Sequence, residues 1–211
     1  MSPLADDSAL ESVLIQAISR HDRPGAVALV MDALADQRVS IPDLFDFLSE
    51  FLVEIGSGWQ RGVTEVWQEH LVTGIVRNIV EACGMEVEDQ APQQRGSTVA
   101  LAAPADEYHD LGLRMLADRF ALAGWRPHFL GGNLPLGQLL TAVSTLGADA
   151  VALTASTHFH RLSLRDYVQK LQDSNPDIRV WVGGAAFAKE HVGWPEEMVL
   201  DPRAIPSPGD R

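Results

Sequence analysis

Cysteine is almost absent: Cys83 stands alone in 211 residues. It closes no internal disulfide and has no thiolate partners for a metal site, so the helical pattern around it predicts a buried, apolar-like residue. Long hydrophobic runs are missing too, none approaching the roughly 20 residues that cross a bilayer. The N-terminal "MSPLADDSALES" is acidic and lacks the basic-then-apolar order of a secretory signal. These absences predict a cytoplasmic protein with no membrane partner. Positive charge is scarce as well: 16 Lys+Arg against 29 Asp+Glu leave a net charge of −13, and the basic residues are scattered. Such a surface is not built to neutralise phosphates, so no direct nucleic-acid partner is expected.

What is present is 46% hydrophobic residues, enough for two small cores. Their spacing changes along the chain. From about Ser8 to Gly84 apolar residues recur at three and four, as in Leu10, Val13, Leu14, Ala17 and Ile18. Breaks at "RHDRPGA", "QRVSIPD" and "GSGWQRG" divide this stretch into four helices, with Ser40 a cap, Pro24 and Pro42 in first turns, and a last helix from about Thr64 to Ala82. The expectation is a four-helix bundle over residues 8–86. After the polar linker "EVEDQAPQQRGS", short β-rich runs alternate with helical ones: "TVALAAP", a helix near Glu107–Ala123, "RPHFLGG", a helix near Leu136–Leu146, "DAVALTAS", a helix near Ser163–Leu171, and "IRVWVGGAAF". Strands separated by helices imply right-handed crossovers and a parallel sheet. The fold class is therefore α plus α/β, with a flavodoxin- or Rossmann-like domain over residues 96–205. The tail "PRAIPSPGDR" reads as disordered.

In open parallel sheets ligands settle at the carboxyl ends of the strands. The stretch "PADEYHDLGLRM" puts Glu107, His109 and Gly112 just past the first strand, at that edge. This acid-x-His-x-x-Gly pattern resembles the signature of cobalamin-binding domains, and later pieces match as well: "LGGNLP" after the second strand, "TAST" after the third, and Gly183–Gly184 ending the fourth. One such match arises easily by chance; the joint placement on strand ends carries the resemblance.

The resemblance implies that His109 is the lower axial ligand of a corrin cobalt, for which a neutral imidazole is a suitable nitrogen donor. Glu107 would hold the other ring nitrogen and fix the tautomer. Gly112, lacking a Cβ, would admit the displaced nucleotide tail. Asp110, Gly131, Pro135, Thr154, Ser156, Gly183 and Gly184 would complete the cofactor pocket.

The passage "GWQRGVTEVWQEHLVTG" contains Trp59, nine intervening residues, then Glu69 and His70. This resembles the Trp-x9-Glu-His pattern of adenosylcobalamin-dependent photoreceptors of the CarH type. It implies that Trp59, at the turn between the third and fourth helices, packs on an adenosyl group, that Glu69 accepts from its polar groups, and that His70 donates nearby. Val66, His70 and Gly74 share one helical face. One residue departs from the pattern: Gln60 follows Trp59 where those photoreceptors have a histidine, which puts a bis-histidine state through that position in doubt. The implied function is a light sensor acting through a homo-oligomer, dimer or higher, or through an unidentified signalling partner. The alternatives are a corrinoid methyl carrier of a methyltransferase system and a passive cobalamin-binding module. The chain is also similar to the photocobilin group, which would add a bilin such as biliverdin, with His158, His160 and Arg161 in "TASTHFHR" as its partners.

Overall fold

The computed structural model describes residues 4, 8–93, 96–188 and 193–209. The chain divides into two compact units, Met1–Val87 and Glu88–Arg211.

Helix starts in the first unit follow side-chain chemistry. Asp22 accepts from the Gly25 backbone at 3.0 Å ahead of α2, and Ser40 accepts from Asp43 N at 3.2 Å ahead of α3. Each satisfies a backbone donor that has no partner within its helix. The helices are α1 (Ser8–Ser19), α2 (Arg23–Ala35), α3 (Ile41–Gln60), α4 (Val66–Ala82) and the short α5 (Gly84–Gln90). Leu14, Ile18, Leu44, Leu48, Val76 and Ile79 form the buried seam that the three-and-four spacing marks. Cys83 is fully buried at the end of α4.

Three boundaries differ from expectation. The stretch "GSGWQ" continues α3 instead of breaking it; the turn comes at Gly62, with φ +71°, whose N–H bonds the Trp59 carbonyl. Gly58 stays helical because it packs on Thr64, whose Oγ1 a Cβ would meet at 2.7 Å. Trp59 thus lies in the last turn of α3 and not in the connecting turn. Helix α4 begins at Val66, where Glu65 and Gln68 cap each other reciprocally. Part of the expected linker is α5.

The second unit runs β1 (Thr98–Pro104), α6 (Leu111–Leu122), β2 (Arg126–Leu134), α7 (Leu136–Leu146), β3 (Ala150–Thr154), α8 (His158–Ser174) and β4 (Arg179–Gly183). The strands are parallel in the order β2-β1-β3-β4. Period-two alternation sorts the two faces. Val99, Leu101, Ala152 and Trp181 pack with Phe120 of α6 and with Trp125, while Ala100, Ala102, Val151 and Val180 pack with Leu139 of α7 and Leu164 of α8. The chain leaves β1 toward one edge and returns as β3 on its other side, so the β1 and β3 carboxyl ends flank a topological switch point.

The tail is ordered over its described residues, contrary to expectation. Trp125 Nε1 donates to the Pro206 carbonyl at 2.7 Å and Ile205 packs on the core, because a buried indole needs an acceptor that the sheet does not offer. Residues 210 and 211 lie outside the described part.

Candidate cofactor site

The loop from β1 into α6 turns at Ala105 and Asp106 and then drives Glu107 inward. Its carboxylate has no solvent exposure, yet five N–H and O–H groups converge on it. Oε1 accepts from the His109 backbone at 3.0 Å and lies 2.7 Å from His109 Nδ1. Oε2 accepts from Ser156 N at 2.7 Å and Ser156 Oγ at 2.6 Å, and lies 2.8 Å from His160 Nδ1. Burial pushes the carboxyl pKa up, but the bonds from Ser156 and His109 outweigh it and hold the group down at about 2, so the carboxylate is ionised.

An ionised carboxylate only accepts, so both ring Nδ1 atoms facing it carry hydrogen. His109 is thereby set in the tautomer whose lone pair is on Nε2, and its side chain is 78% exposed. Ser156 Oγ, 3.1 Å from His109 Nδ1, braces the ring from the end of β3. A lone imidazole is one donor, so a metal bound there must bring most of its ligands with it, as a corrin does.

The expected helix start at Glu107 is corrected: residues 107–110 are loop, and α6 begins at Leu111 with Asp110 at its cap position making no side-chain cap bond. A Cβ on Gly112 would meet nothing within 4 Å, so the space beside it is open. The segment "LGGNL" belongs to β2 instead of following it, with a register shift that places Gly131, φ +81°, opposite Ala102. Pro135 caps α7 and Thr154 ends β3. Gly183 ends β4, and Gly184, φ +95°, lies so close to β3 that a Cβ would stand 2.6 Å from the Ala155 carbonyl.

His158 and His160 lie in the first turn of α8, not on extended backbone, so their side chains diverge. His158 Nδ1 pairs with Arg161 Nη2 at 2.9 Å, Arg161 also donates to the Ala186 carbonyl at 3.1 Å, and His160 turns inward to Glu107. Helix α8 starts this early because Thr157 caps it, accepting from His160 N at 3.2 Å.

Three supports escape the sequence pattern. A Cβ on Gly132 would sit 2.7 Å from the Glu107 carbonyl, Asn133 N donates to that carbonyl at 2.7 Å, and Tyr167 Oη bridges Ala105 N at 3.0 Å and the Leu134 carbonyl at 2.8 Å. The glycine pair in "LGGN" hinted at the first; nothing in the local pattern marks Tyr167.

Two family models described as B12 binding domain match residues 97–196 and 10–83. The chain belongs to the B12-binding family. This B12-binding chain is 32% identical over 191 residues to the HTH-type transcriptional repressor CarH of Myxococcus xanthus, covering 89% of this chain and 61% of that one. It is 31% identical over 91 residues to the HTH-type transcriptional repressor CarA of the same organism, covering 43% and 30% of the two chains. The chain thus spans less than two thirds of these curated relatives. Its fold is that of the Methanosarcina barkeri monomethylamine corrinoid protein, with a TM-score of 0.75, 19% identity and 92% of each chain covered. The family matches support a cobalamin cofactor.

In the first unit Trp59 is 50% and Trp67 59% exposed, so neither is bundle core. Glu69 accepts from Thr73 Oγ1 at 2.8 Å through Oε1, and its Oε2 lies 3.5 Å from Nε2 of the exposed His70. Val66 is exposed on the same helical face, and a Cβ on Gly74 would meet nothing within 4 Å. The Gln60 side chain lies outside the described part. Among the described residues no helix is long and apolar enough to cross a membrane.

Proposed function

We propose that this B12-binding chain is a cobalamin-dependent light sensor rather than an enzyme, with His109 as the protein ligand to cobalt and adenosylcobalamin as the working cofactor. The observation that carries the cofactor reading is the His109 imidazole, held through Nδ1 by a buried carboxylate while most of its side chain is exposed. The sensor reading is supported by the similarity to CarH and by Trp59, Glu69 and His70, whose partial or full exposure leaves surface for a ligand. Bound adenosylcobalamin would supply a cobalt–carbon bond that visible light cleaves.

The chain's own residues have distinct tasks. Glu107 and Ser156 orient the His109 ring and keep its proton on Nδ1. The open space beside Gly112 admits the nucleotide tail, with Asp110, Gly131, Pro135, Thr154 and Gly183 beside it. Trp59 packs its indole on the adenosyl group, and Glu69 and His70 hydrogen-bond its polar atoms. Contacts that exist in the dark state alone give the differential interaction a switch requires. The readout is a homo-oligomer or partner interaction that changes when those contacts are lost. The geometry lends no support to a bilin on His158, His160 and Arg161, since their polar groups serve Glu107, the Ala186 carbonyl and one another.

The test adds adenosylcobalamin or methylcobalamin in darkness and records absorption and gel-filtration volume before and after green light. We expect adenosylcobalamin to bind and illumination to shift the elution volume, with His109→Ala weakening binding at least tenfold and Trp59→Ala abolishing the shift. Tight binding of methylcobalamin alone, with elution unaltered by light, would establish the methyl-carrier alternative. Binding without any light response would establish a passive module.

A further inference from the structure

The Glu107 carboxylate serves two imidazoles. His160 arrives from the first turn of α8, its side chain only 13% exposed, and places Nδ1 2.8 Å from Oε2 while His109 Nδ1 lies 2.7 Å from Oε1. Thr157 Oγ1, 3.0 Å from His160 Nδ1, steadies that ring. Two oxygens offer about four lone-pair directions, and here they face five N–H and O–H groups, three of them on Oε2. Ser156 alone fixes the carboxylate's orientation through two bonds. The His160 contact, 2.8 Å from Oε2, is therefore not needed as a clamp, and its effect falls on how much carboxylate charge remains for the other acceptor oxygen.

We infer that His160 is a positioning residue that tempers His109 as a ligand: by drawing on the Glu107 carboxylate it weakens the hydrogen bond that His109 Nδ1–H donates to Oε1. The inference rests on the proposed ligand role of His109, but its first readout needs no cofactor. In the apo-protein, ring-selective 15N NMR reports the His109 tautomer and the shift of its Nδ1 proton. His160→Leu removes the donor and keeps apolar bulk; His160→Asn places an amide N–H close to where Nδ1 stands.

The expected result is a downfield move of the His109 Nδ1 proton in His160→Leu with the tautomer kept, and return toward the wild-type position in His160→Asn. Hydroxocobalamin should bind His160→Leu more tightly, by less than the roughly tenfold that marks loss of a direct partner. An unmoved proton, a mixed His109 tautomer, or an Asn variant behaving like the Leu variant would overturn the inference. Failure of the wild type to bind hydroxocobalamin, with the NMR shifts as expected, would overturn the ligand role of His109 and leave the coupling between the rings standing.

Discussion

Glu107 concentrates the chemistry of the second unit in one buried charge. Its pKa is lowered from 4.5 to about 2, below its unfolded value, so its contribution to stability is present in full above pH 4.5 and is lost as the pH falls through about 2. The shift corresponds to about 3 kcal/mol. Urea denaturation of the apo-protein at pH 5 and pH 3 should show this decline, and Glu107→Gln should lack that component while being less stable at pH 5. A variant with the same pH dependence as wild type would show that the carboxylate is not held by these bonds. At this scale the sequence was informative about His109 and Glu107, because an acid two residues before a histidine can reach its ring. It singled out His160 only as a bilin partner and did not show that this ring meets Glu107, because that contact exists only once β1 and β3 lie side by side.

At the level of elements, the site depends on how closely the end of β2 and the β4 turn approach the loops that hold Glu107 and Ser156. Gly132 and Gly184 permit those approaches. Gly132→Ala must displace a backbone carbonyl 2.7 Å from the new methyl, and we expect a loss of about 1–3 kcal/mol in urea denaturation. Gly184→Ala adds a positive φ of 95° to a close backbone contact and should cost more. Equal stability of either variant with wild type would mean that the approaches are not tight. Strand and helix order was legible from the two periodicities. Boundaries were less so: Trp59 was expected in a turn because "GSG" reads as a breaker, whereas packing of Gly58 on Thr64 keeps the helix going.

Across the whole molecule, the C-terminal segment closes the second unit. Trp125, wholly buried, stands edge-on to both Phe120 and Trp181 and sends its indole N–H to the Pro206 carbonyl. Arg179 lies over both indoles and reaches the Pro208 carbonyl at 3.4 Å. Deleting residues 203–211 leaves a buried donor unpaired, at a cost of about 1–3 kcal/mol. The truncated protein should melt earlier and show altered near-ultraviolet circular dichroism from its tryptophans. An unchanged melting curve would return the tail to the disordered segment its composition suggested.

By itself the sequence determined the two kinds of architecture, the strand that ends beside His109, and the family signature, since these depend on periodicity and short spacing. Tertiary structure alone decided that Ser156 and His160 share one carboxylate with His109, that the tail serves Trp125, and that Gly132 and Tyr167 brace the site. Such contacts join residues far apart in the chain, and no local pattern of side chains encodes which distant groups a parallel sheet will bring together.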